Sequence, residues 1–165
     1  MNKEFYSKVL IVAAGNEARG DDGVGPVMAR ELEKFSFPGT RIEYHNGDST
    51  CLLAYWAKIP LVIVLDSVKE GVSPGKTYRF EIPGQPIPFQ IFSDFSTHQL
   101  GIQKTIELGR ALGQFPSRLI IYGVEGRCFE MGSGLSGEVR MAAARVVRRV
   151  KKDIQGALER ALSRR

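Results

Sequence analysis

The chain has little of what several large protein classes depend on. Its two cysteines, Cys51 and Cys128, stand far apart among 165 residues, which leaves no case for a disulfide framework or a paired-cysteine zinc site. With two histidines in all, an all-protein tetrahedral zinc centre has no ligand set either. No apolar run reaches the roughly 18 to 20 residues needed to cross a bilayer, so membrane insertion is not expected. The first eight residues lack the longer apolar segment and small-residue cleavage site of a signal peptide. A cytoplasmic location is the expectation. Also missing are the Gly-x-Ser-x-Gly nucleophile elbow, the His-Glu-x-x-His zinc-protease helix and the full Gly-x-Gly-x-x-Gly dinucleotide fingerprint.

What is present is an ordinary balance for one compact domain. Hydrophobic residues make up 43% and charged residues 25%, and a chain of this length can bury a sizeable core. The net charge is +5, with much of the excess in residues 145–165. Val146, Val147, Val150, Ile154 and Leu158 recur there at helical spacing, so the basic residues read as the outer face of a terminal helix rather than a nucleic-acid arm. No RNA-binding motif or paired aromatic platform accompanies them, and no nucleic-acid partner is expected.

Apolar strands and helical patterns alternate along the chain. Residues 8–14 form a continuous β-branched run, the mark of a strand covered on both faces. Val24, Val27, Met28, Leu32 and Phe35 then share a helix face, with Pro26 in its first turn, where the missing N–H costs little. Residues 41–45 suit a second strand, followed by a short helix around residues 52–57. Residues 61–66 make the strongest central strand, its apolar body ending on Asp66. Residues 76–82 alternate like a half-buried strand, and Pro83, Pro86 and Pro88 make the next stretch a loop. A helix follows from Ser96, with Ile102, Ile106, Gly109 and Leu112 inward and Gly113 stopping it. Residues 119–124 form a further strand. After a glycine-punctuated loop, Ser136 or Ser133 can cap the last helix. The expected fold is α/β: a three-layer sandwich with a central twisted, mostly parallel sheet of about five strands flanked by helices, in a single domain over residues 1–165.

The chemistry concentrates at strand ends. Strand one runs into Gly15-Asn-Glu-Ala-Arg-Gly-Asp-Asp-Gly-Val-Gly25, which places Asp21 and Asp22 where an open α/β sheet usually holds its ligand. A pyrophosphate would be repelled by these carboxylates. Taken alone, Asp21 and Asp22 suit helix caps as well as ligands, Asp66 suits a turn cap, and His98 suits a helix start. Taken together, Asp22, Asp66 and His98 offer two oxygens and one imidazole nitrogen, a donor set compatible with nickel or zinc. His45 has no acidic companion in register and stays outside the set.

These residues resemble a known family, the nickel-iron hydrogenase maturation endopeptidases. The likeness runs through Gly15-Asn16, Gly20-Asp-Asp-Gly-Val-Gly25, Val64-Leu-Asp66, Ser73-Pro-Gly75, Thr97-His-Gln-Leu-Gly101, Tyr122-Gly-Val-Glu125 and Gly134-Leu-Ser136. It covers nearly the whole chain in order. Two stretches depart from it: Asn46-Gly-Asp-Ser-Thr-Cys51, and Gly123-Val-Glu-Gly126 in place of a Gly-Ile-Gln-Pro form.

The resemblance implies an endopeptidase that removes the carboxy-terminal extension of a nickel-iron hydrogenase large-subunit precursor after nickel insertion. The implied metal and catalytic residues are Asp22, Asp66 and His98, with Asp21 as a supporting carboxylate or structural cap. The implied cofactor is nickel, carried by the precursor, and the implied partner is that nickel-loaded precursor. Two other readings stay open: a noncatalytic nickel-dependent assembly-binding module, and a metal-dependent hydrolase of a small substrate.

Overall fold

A computed structural model of the chain describes residues 7–45, 53, 54, 56, 59–68, 73–84, 86 and 97–163, and for residues 97–102 the backbone alone. Five strands form one sheet: β1 (Val9–Ala14), β2 (Thr40–His45), β3 (Leu61–Val68), β4 (Thr77–Ile82) and β5 (Arg118–Glu125). Their order is β2-β1-β3-β5-β4. The first four in that order are mutually parallel, and β4 closes the edge antiparallel to β5. Helices α1 (Val24–Glu33), α2 (Thr97–Ala111) and α3 (Gly137–Leu162) complete the expected three-layer architecture.

Strand periodicity divides the core into two. Val9 and Ile11 of β1 and Leu61, Ile63 and Leu65 of β3 face one layer, where they meet Val24, Met28 and Leu32 of α1. Val139, Ala142, Val146, Val150 and Ile154 of α3 complete that layer, repeating every three or four residues as one apolar stripe. Leu10, Val12, Val62, Val64 and Val68 face the opposite layer with Trp56 and Ile106. Fully burying each such aliphatic side chain contributes about 1.5–3 kcal/mol, which is why the central strands are apolar on both faces. The basic residues of α3 occupy its outer side, as expected.

Several boundaries differ from the sequence expectation. β3 continues two residues beyond Asp66 to Val68, so that carboxylate lies within a strand rather than ending it. β5 likewise runs on to Glu125. Phe35 and Leu112 both fall just past their helices, and they are 42% and 55% exposed. Each continues an apolar periodicity in sequence, but the helix ends before it can be turned inward. Of the short helix expected at residues 52–57, Leu53, Ala54 and Trp56 are helical and the rest lies outside the described residues. The proline-rich stretch falls largely outside them too.

Candidate active site

The strand order reverses between β1 and β3: from β1 the chain goes to one neighbour, β2, and then returns to the other side to form β3. Open parallel sheets leave a crevice at the carboxyl ends of such a strand pair. Both candidate carboxylates arise there. In the register that pairs Ala13 with Leu65, Asp66 is one residue further along, level with the end of β1.

Two glycines make the crossing from β1 to α1 possible. Gly15 has φ +126°, and a Cβ on it would stand 2.0 Å from the Asp22 carbonyl oxygen. A Cβ on Gly25 would meet the carbonyl oxygens of Ala14 and Leu65 at 2.1 and 2.6 Å. Helix α1 therefore starts directly on the ends of β1 and β3, and the 3₁₀ turn Gly20–Gly23 is pressed into the crevice.

Asp21 and Asp22, adjacent in sequence, point apart. Neither caps its own turn or α1 through its side chain. Asp22, 2% exposed, accepts the Asn16 amide at 3.1 Å on one oxygen and the Ser67 hydroxyl at 3.3 Å on the other. It is thereby tied to β3 beside Asp66. Asp21, fully buried, turns towards residues 127–136. It accepts the Arg127 and Cys128 amides at 2.7 and 2.9 Å, and the Ser136 amide and hydroxyl at 2.7 and 2.9 Å. Its own amide donates to the Cys128 carbonyl at 2.8 Å. Ser136 does occupy the position before α3, but its hydroxyl makes no cap bond to the helix and donates to Asp21 instead. Asp21 is thus a cap after all, for α3, where a carboxylate also complements the helix's positive end.

Asp66 is fully buried. One carboxyl oxygen accepts the Ser67 amide at 2.8 Å, while the other is buried without a hydrogen-bond partner. Burial, opposed by the Ser67 amide and reinforced by the charge of Asp22, pushes the Asp66 carboxyl up to about 8. A buried oxygen with nothing to bond is costly for folding alone. Along β3, Asp66 alternates with Val64 and Val68, so it faces the layer that holds Ile106 of α2.

That layer also brings His98 to the same edge. β5 begins at the amino edge, where the Arg118 amide donates to the Pro60 carbonyl at 3.0 Å. A helix that feeds β5 from there runs back across the sheet, and its 15 residues span about 22 Å. Its first turn, containing His98, consequently starts at the carboxyl edge. The imidazole itself lies outside the described side chains. Among the described residues, no three His, Cys, Asp or Glu side chains form a group that could hold a metal ion.

Sequence reasoning passed over two members of this neighbourhood. Ser67 links the two carboxylates, donating its amide to Asp66 and its hydroxyl to Asp22; nothing in its local sequence marks it. Glu125, 1% exposed and paired in register with Val68, accepts the Ser73 amide and, at 3.0 Å, the Tyr78 hydroxyl. It secures the Ser73-Pro74-Gly75 turn beside the edge. Its signal was the one that exposed Asp66, a carboxylate at the end of an apolar strand run. His45, outside the candidate set, is 8% exposed and pairs in register with Ala14.

A mostly parallel α/β sheet with two buried carboxylates at its switch point defines a class of site rather than an activity. Comparison with known proteins narrows it. A family model, HycI, hydrogenase maturation protease, matches residues 46–153. The hydrogenase expression/formation protein HoxM of Azotobacter vinelandii is 30% identical over 136 residues, 80% of this chain and 65% of its own. The hydrogenase 2 maturation protease of Escherichia coli K12 is 24% identical over 134 residues, 80% of this chain and 81% of its own. Among solved structures, the hydrogenase maturating endopeptidase HybD from E. coli superposes with a TM-score of 0.77 at 22% identity, over 91% of this chain and 93% of that one. The chain belongs to the hydrogenase maturation protease family. It spans between 54% and 65% of the length of three of the curated relatives it matches.

Proposed function

We propose that the protein is an endopeptidase that removes the carboxy-terminal extension of a nickel-iron hydrogenase large-subunit precursor once nickel has been inserted. The observation that carries this reading is the meeting of Asp22 and Asp66 at the switch point, with one Asp66 oxygen buried and unbonded. A cation brought by the substrate would suit that arrangement, since it would let both carboxylates ionise together and would give the orphaned oxygen a partner. Asp22, Asp66 and His98 are the residues assigned to hold it. Two carboxylates and an imidazole fit a divalent borderline ion such as nickel, which when bound supplies positive charge to the site.

The remaining chemistry belongs to the chain. In the absence of a cation, Asp66 holds a proton at neutral pH, because burial favours its neutral form. A bound cation would favour ionised Asp66, its proton passing to solvent, and the Asp22 and Asp66 carboxylates would then orient an attacking water or accept its proton. Ser67 fixes the spacing of the pair through its two hydrogen bonds. Asp21 and Glu125 hold the 127–136 and 73–75 segments around this centre. The proposed reaction is cytoplasmic. No helix among the described residues is long and apolar enough to cross a membrane.

The test is intact-protein mass spectrometry of the cognate precursor, nickel-loaded and nickel-free, incubated with the protein. Loss of one tail from the nickel-loaded form alone, abolished by Asp22→Asn, Asp66→Asn or His98→Ala, is the expected result. Nickel-dependent binding with the tail intact, on a precursor that a known maturation protease cuts, would instead make this an assembly-binding module.

A further inference from the structure

A groove of about 610 Å³ runs between α1 and α3 on the outer side of the molecule, away from the Asp22 and Asp66 carboxylates. Val27, Leu135, Ala143 and Val147 contribute its apolar floor, and Gly20 and Gly23 of the acidic turn close one end. An occupant at that end therefore rests against the backbone that carries Asp22.

The two walls differ in charge. On the α1 side, Glu17 is paired with Arg30 and Glu31 with Lys34, so that wall is locally neutralised. On the α3 side stand Arg140, Arg148 and Lys151. Among the described residues the Arg140 guanidinium reaches only the Leu135 carbonyl, at 3.5 Å. Lys151 lies 3.4 Å from the centroid of the exposed Phe35 ring. Arg148 meets no carboxylate among the described residues. The groove is thus an apolar trough whose α3 wall carries three cations with no carboxylate partner among the described residues, facing an α1 wall of surface ion pairs.

We propose that this groove docks an apolar, carboxylate-bearing segment of the protein substrate, a proposal that rests on the endopeptidase reading. A stable protein–protein contact covers about 800 Å² on each partner, more than a two-carboxylate cleft offers. Contact remote from the scissile bond is what places a large substrate for reaction. A concave apolar floor suits inserted side chains, whereas a membrane surface calls for an outward-facing apolar stripe.

The experiment uses the full chain with the nickel-loaded large-subunit precursor. Ala144, exposed on the groove's α3 side, is replaced by Trp to fill the trough, and Arg148→Glu inverts the wall. Kd for the precursor is measured by biolayer interferometry, and KM and kcat for tail removal by mass spectrometry. Thermal melting verifies that each variant is folded; if Ala144→Trp is not, Arg140→Glu joins Arg148→Glu as the second surface variant. The expected result is a rise in Kd and KM of about five- to tenfold for each variant, with kcat unchanged and the Arg148→Glu effect shrinking at high salt.

Unchanged Kd and KM in folded variants overturn the proposal, as does a wild-type protein that fails to bind the precursor. So does binding of phosphatidylglycerol vesicles or an RNA oligomer that the variants weaken while precursor binding stays intact. If the variants weaken precursor binding but wild type leaves the tail uncut, the docking surface stands and the endopeptidase reading falls.

Discussion

Glu81 of β4 and Asp153 of α3 are carboxylates packed against the same sheet as Asp22 and Asp66, yet they live in a different electrostatic world. Arg79 donates to both, at 2.8 Å to Glu81 and 3.1 Å to Asp153. Arg118 donates to Glu81 at 2.6 Å, and the Tyr122 hydroxyl to Asp153 at 2.6 Å. Burial and the neighbouring Asp153 raise the Tyr122 phenol well above its ordinary range, so it stays a donor. Within this cluster, opposite charges and hydrogen bonds answer each carboxylate. At the switch point no cation among the described residues answers Asp66. Similar side chains thus serve two ends: the paired cluster fastens the edge strand β4 to α3, and the other leaves one Asp66 oxygen buried without a partner, the oxygen that the proposed function assigns to the substrate's cation.

The comparison breaks most visibly under neutralisation of the unpaired cluster. Asp66→Asn is expected to lower tail removal from nickel-loaded precursor by about 100-fold or more, the loss typical when a positioned acid–base group is removed. Folding should be unharmed, because the variant deletes an unfavourable buried carboxyl. Mass spectrometry and a urea melt on the same preparation check both halves. Preserved cleavage would sink the assignment of Asp66.

Next in size is Asp21→Ala, which deletes the acceptor of four hydrogen bonds and leaves buried amides unpaired. A loss of about 2–3 kcal/mol in stability is expected from urea denaturation, with faster amide exchange at Arg127, Cys128 and Ser136. Equal protection at those amides in the variant would contradict the capping role.

Breaking the paired cluster should cost less, because it is partly solvated. Side-chain exposure is 32% for Arg79 and 20% for Asp153, so Asp153→Ala is expected to lose about 1–2 kcal/mol. Tail removal should continue at the wild-type rate. A cleavage defect without a stability loss would reverse the contrast between the clusters.

The smallest effect is a slope. Between its ordinary value of 3.8 and about 8, folded Asp66 keeps a proton that the unfolded chain has released. Stability of the metal-free protein therefore falls as pH rises through that window. Across it, Asp66→Asn should gain at least about 1.4 kcal/mol on wild type, the value of a single pK unit. Urea melts at pH 5 and pH 8.5 in the presence of a chelator give the comparison; parallel slopes would remove the buried-proton argument.

Legibility in the sequence followed how local each signal was. β1, β3 and β5 stood out because continuous β-branched runs need only their own residues to be recognised. The stripe on α3 was equally plain. Asp66 was visible as a charge interrupting such a run, although the strand's true end at Val68 was not, since pairing with Glu125 on β5 extends it. Phe35 and Leu112 were misread because periodicity does not record where a helix stops. Asp21 and Asp22 were told apart only by the family resemblance and not by their own local sequence, because their roles depend on residues 106 to 115 and 45 positions away.

By itself, then, the sequence determined the α/β alternation, the apolar stripes and the strand-end positions of the acidic groups, all of which are consequences of short-range periodicity and turn chemistry. Only the tertiary structure decided which carboxylates are answered. That depends on β3 lying beside β1, on α1 resting across both strand ends, and on the 127–136 segment reaching back to Asp21. Hydrogen bonds and charge act over a few ångströms, and distance in space is what chain order does not encode.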